Sequence, residues 1–202
     1  MWKQYFPIYE RLESEFCELT YSVALNDDHL KVHSILMSEF LLRICSECEN
    51  ISKSILNSKA IPERIWKNAN FPKLGVELGK LFSLTGKELE VIWPYQELTK
   101  TSIKPFEDWY GSKNPTWYIA YNKIKHSRES EFKQSNYENC LASLAGLFIL
   151  NLILRKDDIE SKSQHIDRTR DRIKSYSKLF DPQSFLNLKN GLGTFRSLQL
   201  AV

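Results

Sequence analysis

The sequence predicts an all-α protein: a bundle of about four long helices with a small irregular or hairpin insertion and a C-terminal helical tail. Glycine and proline are scarce, at seven each in 202 residues, which favours long regular elements over many short strands and turns. Apolar side chains recur at spacings of three and four over several long segments, as in amphipathic helices. The apolar run 141–154 is shorter than the roughly 18–20 residues that cross a bilayer, so it predicts a buried helix.

Two amphipathic helices open the chain. From Tyr5 to Val23 the large apolar side chains are spaced mostly by three and four residues, and Pro7 suits the first turn of this helix. Asn26 and the two aspartates after it end this helix and can cap the next one. The second helix is predicted from about His29 to Asn57, and its core stripe keeps the same spacing throughout: Met37, Leu41, Ile44, Cys48, Ile51 and Ile55.

Residues 58–113 form a less regular insertion. Four prolines interrupt this segment, and a short helix is predicted around residues 73–82. Apolar residues alternate with others along 89–93, which predicts a small hairpin or an extended segment at the edge of the bundle. Three tryptophans are expected to cover the end of the core: Trp66, Trp93 and Trp109.

The helix that follows Asn114-Pro115 has one apolar and one polar face. The Asn-Pro pair is a turn or helix-start signal. At about 100° per residue, one face carries Trp117, Ala120, Tyr121 and Ile124. The opposite face carries Asn122, Lys125, His126 and Glu129. The imidazole of His126 is therefore expected to point away from the core, toward solvent, a groove or another subunit.

A fourth long helix follows a capping-box pattern formed by Ser135 and Glu138. We assign residues 1–155 to the helical bundle and residues 156–202 to a charged helical tail. Residues 1–155 hold 19 Lys/Arg and 19 Asp/Glu, whereas the tail holds 9 and 6, so the net charge of +3 lies in the tail. This charge is too small to predict nucleic-acid binding by itself.

The four cysteines do not form a disulfide framework. Cys45 and Cys48 make a C-x-x-C motif, which suggests zinc or redox chemistry, but a structural zinc site needs four ligands and the chain has no second such motif. We interpret both as buried thiols in the middle of a helix, and we predict no metal and no cofactor. The N-terminus lacks a basic region followed by an apolar core, so a cytoplasmic location is expected.

The polar residues of the third long helix suit chemistry at a phosphodiester. His126 would carry the proton, because imidazole titrates near neutral pH, and Asn122 would orient the ring or the substrate. Lys125 and Arg128 would hold a phosphate. Metal-free RNA cleavage would then begin when a base takes the 2′-hydroxyl proton, and cations would offset the charge that develops. A further acid or base is needed, which a symmetric dimer would supply as a second His126. The alternative is an exposed or structurally hydrogen-bonded histidine.

Three segments occur in a fixed order: Leu41–Glu47 in the second helix, Trp117–Arg128, and Asn139 with the run Leu-Ala-Gly-Leu-Phe-Ile-Leu. Together they resemble a group of bacterial HEPN-type proteins over about residues 5–155. The resemblance implies a HEPN-like bundle of four or so long helices, frequent homodimerisation, and a place in prokaryotic defence or toxin–antitoxin systems. The catalytic signature of that family is an arginine, four to six residues, then a histidine. His126 matches the histidine by position, whereas the arginine positions hold Tyr121, Ala120 and Ile119, and Asn122 is one position too close.

These observations predict an RNA-directed HEPN-like protein, either a metal-independent endoribonuclease or a degenerate RNA-binding module. His126 and Asn122 are the catalytic candidates, and Lys125 and Arg128 are the substrate-binding candidates. The alternative function is a non-catalytic helical dimerisation or protein-interaction module. The expected partners are a second copy of the chain, RNA, and a protein bound through the C-terminal tail; no membrane is expected.

Overall fold

The computed structural model describes residues 2–82, 89–107, 109, 113–155 and 176–181. Within these residues the protein is mostly helical, in agreement with the predicted all-α class. Two shorter helices, α3 (Glu63–Trp66) and α4 (Phe71–Leu81), lie in the insertion. Four long helices form the predicted bundle: α1 (Trp2–Ser22), α2 (Ile35–Ser58), α5 (Thr116–Glu131) and α6 (Tyr137–Leu154).

The centre of the bundle is α6. Its residues from Ser143 to Ile153 are all buried, and α1, α2 and α5 pack against it. By length and composition α6 is apolar enough to cross a membrane, but most of it is buried inside the protein. It is therefore the buried helix that the apolar run 141–154 predicts. The cytoplasmic location stays a prediction.

The starts of α1 and α2 differ from those predicted. α1 begins at Trp2, so Pro7 lies inside the helix rather than in its first turn. α2 begins at Ile35 rather than near His29, because the Ser34 side chain accepts a hydrogen bond from the amide of Met37 at 3.1 Å. The polar residues before it form a separate 3-10 helix, Asp27–His29. The core stripe of α2 is confirmed, since all six of its residues are at most 3 % exposed.

The start of α6 also differs from the predicted capping box. Its N-cap is Asn136, one residue after Ser135, and the Asn136 Oδ1 accepts a hydrogen bond from the amide of Asn139 at 3.1 Å. Glu138 forms an ion pair with Lys31 instead of reaching back to the cap. Asparagine caps a helix as well as serine does, so the choice between these neighbours depends on tertiary contacts.

Two small sheets lie at the edge of the bundle. β2 (Leu89–Val91) pairs antiparallel with β4 (Ser102–Ile103), which agrees with the hairpin predicted for this region. The other edge of β2 pairs antiparallel with β5 (Phe180–Asp181). In the second sheet, β1 (Leu25–Asn26) is parallel to β3 (Gln96–Glu97). The insertion is thus joined both to the loop after α1 and to part of the tail.

Residues 176–181 are held against α1 by a buried carboxylate. Glu13 is only 3 % exposed. Its Oε1 accepts hydrogen bonds from the Tyr9 hydroxyl at 2.7 Å, from the amides of Lys178 and Leu179 at 3.0 and 3.1 Å, and from the Ser177 hydroxyl. One carboxylate oxygen therefore fixes the path of the chain just before β5.

This segment is the part of the predicted tail that the structure describes. At the end of α6, the guanidinium carbon of Arg155 lies 4.0 Å from the centroid of the Tyr176 ring. The charged helix predicted within 156–175, and the chain from 182 to 202, lie outside the described residues. The division of the chain at residue 155 stays a prediction.

An aromatic cluster closes one end of the core. Trp109 is fully buried and stacks between Phe71 and Phe106, with ring centroids 4.3 and 4.6 Å away. Trp66 and Trp93 are half-buried and pack against the core. Gly75 on α4 permits this arrangement, because a Cβ at that position would lie 2.2 Å from the Trp109 Nε1.

Glu13→Ala should destabilise the protein and loosen residues 176–181, because buried donors would lose their acceptor. Each buried donor left unsatisfied costs about 1–3 kcal/mol, so urea denaturation should show a fall of at least about 2 kcal/mol in the free energy of unfolding. Hydrogen exchange at the amides of Lys178 and Leu179 should become faster. Glu10→Ala, at an exposed position of the same helix, is the control. Unchanged exchange at both amides would contradict this role of Glu13.

Gly75→Ala should destabilise the protein more than Gly146→Ala. An added Cβ at Gly75 would overlap Trp109, and overpacking of this kind costs about 1–3 kcal/mol. At Gly146 the nearest atom, Trp117 Cζ2, would be 3.1 Å away, and the helix preference of alanine offsets about 1 kcal/mol of the crowding. Thermal unfolding of the two variants measures the difference. Equal melting temperatures would argue against a close approach of α4 to Trp109.

Candidate functional site

α5 presents the two faces that its sequence predicts. The four residues of its inner face, Trp117, Ala120, Tyr121 and Ile124, are at most 4 % exposed. The Trp117 indole donates a hydrogen bond to the carbonyl of Pro105 at 2.8 Å, and the Tyr118 hydroxyl donates one to Glu49 on α2 at 2.5 Å. Burial and the bond to Glu49 raise the pKa of Tyr118, so its hydroxyl keeps its proton. These contacts fix the rotation of α5 about its axis.

His126 lies on the outer face of α5 and is exposed, as predicted. Within the described part of the chain its imidazole makes no hydrogen bond and no ion pair. Asn122 lies one turn earlier on the same face and is half-buried. Its side-chain amide also has no hydrogen-bond partner among the described residues. The imidazole of His126 and the amide of Asn122 are thus both available to a ligand. Neither is hydrogen-bonded to a second acid or base among the described residues.

Lys125 is positioned by the preceding turn. Its Nζ donates a hydrogen bond to the Tyr121 hydroxyl at 3.3 Å and lies 5.3 Å from the centroid of that ring. The hydrogen bond with Tyr121 raises the pKa of Lys125, so the ammonium group is present at neutral pH. Because the Tyr121 ring is buried, a core residue holds an exposed cation in place.

α5 is kinked at Ser127, where φ is −147° and ψ is 49°. The prediction that Glu129 shares the face of His126 assumed a continuous helix, which this kink interrupts. Lys123 and Glu131 form an ion pair of 3.4 Å between the two sides of the kink. Asn122, Lys125 and His126 therefore form one group, whereas the exposed Arg128 belongs to the segment after the kink.

No arginine occupies the positions five to seven residues before His126, where the HEPN signature has one. Ala120 and Tyr121 are buried in the core, and Ile119 is 45 % exposed beside a cleft. Asn122 is the nearest polar group, and it carries no charge. The cations near His126 are Lys125 and Arg128, which follow the family's arginine positions in the sequence instead of occupying them.

Zinc chemistry at the C-x-x-C motif does not fit the structure. The prediction that no H-x-x-x-H pair accompanies the C-x-x-C motif is wrong, because His29 and His33 have this spacing and would complete a set of four ligands with Cys45 and Cys48. Both cysteines are 0 % exposed, whereas the His29 ring contacts the Ala24 carbonyl at 2.9 Å and His33 is exposed. No cluster able to hold a metal ion occurs among the described residues. The interpretation of Cys45 and Cys48 as buried free thiols is confirmed.

A cleft of about 610 Å³ opens beside α5, and sequence reasoning missed it. Its walls come from the loop before α2, the segment 98–107, the first half of α5, and the start of α6. These four segments are distant in sequence and share no local pattern, so no signal in the chain predicts the cleft. From α5 the cleft is lined by Thr116, Ile119 and Ala120, and none of the predicted site residues lines it.

Comparison with protein-family models, with curated proteins and with solved structures finds no match to this chain. The HEPN-type assignment therefore stays a prediction based on the three segments quoted above. Structurally, the candidate site consists of an imidazole, an amide and a lysine on one exposed helix face, with an arginine just beyond the kink.

The four thiols should resist alkylation in the native protein at neutral pH. Burial raises the pKa of Cys17 to about 12 and raises the pKa values of Cys45, Cys48 and Cys140. The thiolate is the reactive form, so a higher pKa lowers its population at neutral pH and slows the reaction. Labelling should be slow in the native protein and complete after unfolding in urea. Rapid labelling of native Cys45 and Cys48 would restore the redox interpretation.

Proposed function

We propose that this protein is an RNA-binding helical bundle of HEPN type that contacts RNA through the outer face of α5. One observation carries the proposal. Lys125, His126 and Arg128 are exposed within four consecutive positions, and none of them pairs with a carboxylate among the described residues. Unneutralised cations on one surface favour a polyanion, because they replace the counterions of its phosphates.

The pairing of other surface cations supports this interpretation. Several exposed cations elsewhere in the described chain form ion pairs, which offset part of their charge: Lys31, Lys67 and Lys80 have one carboxylate each, and Arg11 and Arg43 share that of Glu15. Lys125 instead contacts the neutral hydroxyl of Tyr121, and the Glu49 carboxylate acts on it only at longer range. Other exposed cations of the described chain, such as Arg64 and Lys73, also lack an ion pair, so it is the close spacing of Lys125, His126 and Arg128 that favours a negatively charged ligand at α5.

Cleavage of the bound RNA would require two copies of the chain. A single chain offers one imidazole at the site, and the amide of Asn122 does not transfer protons at neutral pH. In a symmetric dimer, one His126 would take the 2′-hydroxyl proton while the 2′-oxygen attacks phosphorus. The His126 of the other copy, as imidazolium, would give a proton to the leaving 5′-oxygen. The products would be a 2′,3′-cyclic phosphate and a free 5′-hydroxyl, and no metal would be needed.

The binding proposal is tested by the salt dependence of RNA affinity. The wild-type protein should bind a single-stranded RNA, with an affinity that falls steeply as salt is raised. The double variant Lys125→Ala/Arg128→Ala should bind more weakly, and its logarithmic salt slope should be smaller by about 1.4, because two phosphate contacts are lost.

The matched control is Lys67→Ala/Lys80→Ala, which removes the same charge from two lysines that are paired with Glu63 and Glu77. Lys67 lies at the end of α3, which follows the C-terminal end of α2. The C-terminal end of α5 lies near the opposite end of α2, because the ring of Phe132, just after α5, contacts the ring of His33, just before α2. The control should keep nearly the wild-type slope. Equal slopes for the two double variants, or no RNA retained by the wild type at low salt, would overturn the proposal.

The cleavage mechanism is tested with His126→Ala in the presence of a metal chelator. If the wild-type protein cuts RNA, the variant should cut it at least about 100-fold more slowly, because general acid–base catalysis contributes at least this factor to a reaction rate. Its circular dichroism should be unchanged, since His126 is exposed and makes no hydrogen bond or ion pair among the described residues. Equal cutting by the variant would exclude His126 from catalysis. A wild type that binds RNA without cutting it would leave binding as the function.

A further inference from the structure

The cleft beside α5 has the size and the lining of a small-molecule or nucleobase site. Its volume of about 610 Å³ falls within the range of roughly 300–1,000 Å³ that ligand pockets occupy. Ile103, Ile119 and Leu141 provide apolar surface from three different elements. Ile119 is 45 % exposed on α5. A ligand in the cleft would cover this side chain.

The charges that line the cleft balance each other. Lys31, Lys100 and Lys104 are matched by Asp27, Glu107 and Glu138, and Lys31 is ion-paired with Glu138. A phosphate would gain little from a site whose net charge is zero. A flat neutral group with hydrogen-bonding edges fits better, because amide side chains of Gln134 and Asn139 also line the cleft beside its apolar surface.

The cleft lies next to the face of α5 that is proposed to bind RNA. Asn122 and His126 follow Ile119 by three and seven residues, so helical geometry places all three side chains on one side of α5. At 1.5 Å per residue, Ile119 and His126 are separated by about 10 Å along the axis. This part of α5 precedes the kink at Ser127, so the spacing is that of a regular helix.

We propose that the cleft receives an unpaired base of the RNA, and that the ligand of this protein is therefore single-stranded RNA. This inference rests on the proposed function. The phosphates would follow the cations at Lys125 and Arg128, while a neighbouring base would turn into the cleft and pack on Ile103, Ile119 and Leu141. A base within a duplex is stacked and paired, so it would have to leave the helix before it entered the cleft.

The test compares a single-stranded RNA with the same sequence in a perfect duplex, at one salt concentration. The wild type should bind the single strand about tenfold more tightly, because one base is buried against apolar side chains of the cleft. Two charge-neutral variants should reduce this preference toward equal binding. Ile119→Ser removes apolar surface at an exposed position, and Ala142→Phe fills the cleft from α6. Circular dichroism checks that each variant is folded.

Ile65→Ser is the matched control, because Ile65 is 38 % exposed on α3 and does not line the cleft. This variant should keep the full preference for the single strand. Equal binding of single-stranded and duplex RNA by the wild type would overturn the inference and leave the proposed function intact. An unchanged preference in both cleft variants would also overturn it. Absence of binding to either RNA would overturn the proposed function itself.

Discussion

The structure depends on the burial of α6 from nearly every side. A helix that is apolar around its circumference must be covered by other elements, and α1, α2 and α5 provide this cover. The contacts are close: the Tyr9 and Phe148 rings stack with centroids 5.1 Å apart, and the Cys140 thiol lies 3.5 Å from the Met37 carbonyl. Burial of each large apolar side chain stabilises the fold by about 1.5–3 kcal/mol, so this single helix organises the bundle.

The same constraint produces the candidate site on α5. Because the apolar side of α5 packs into the core, the polar residues of the helix must lie on its outer surface. Tyr121 connects the two sides, since its ring is buried while its hydroxyl accepts a hydrogen bond from the exposed Lys125. The position of that cation therefore depends on core packing. The kink at Ser127 then separates Arg128 from the regular part of the helix.

Residues distant in sequence complete the surface around α5. The segment 98–107 approaches the start of α6 and, together with Ile119, forms the cleft. Pairing of β2 with both β4 and β5 joins the insertion to the returning segment 176–181, whose path Glu13 fixes. The insertion supplies one wall of the concave surface beside α5.

The sequence by itself determined the four long helices, the core stripe of α2 and the outward direction of His126, because helical periodicity depends only on local spacing. It could not choose between neighbouring caps such as Ser135 and Asn136, since both residue types cap well. It also could not reveal the kink at Ser127, the separation of His29 and His33 from the buried Cys45 and Cys48, or the cleft. Only the tertiary structure decided these features, because they depend on contacts between distant residues, such as Lys31 and Glu138, which are 107 positions apart and line the cleft.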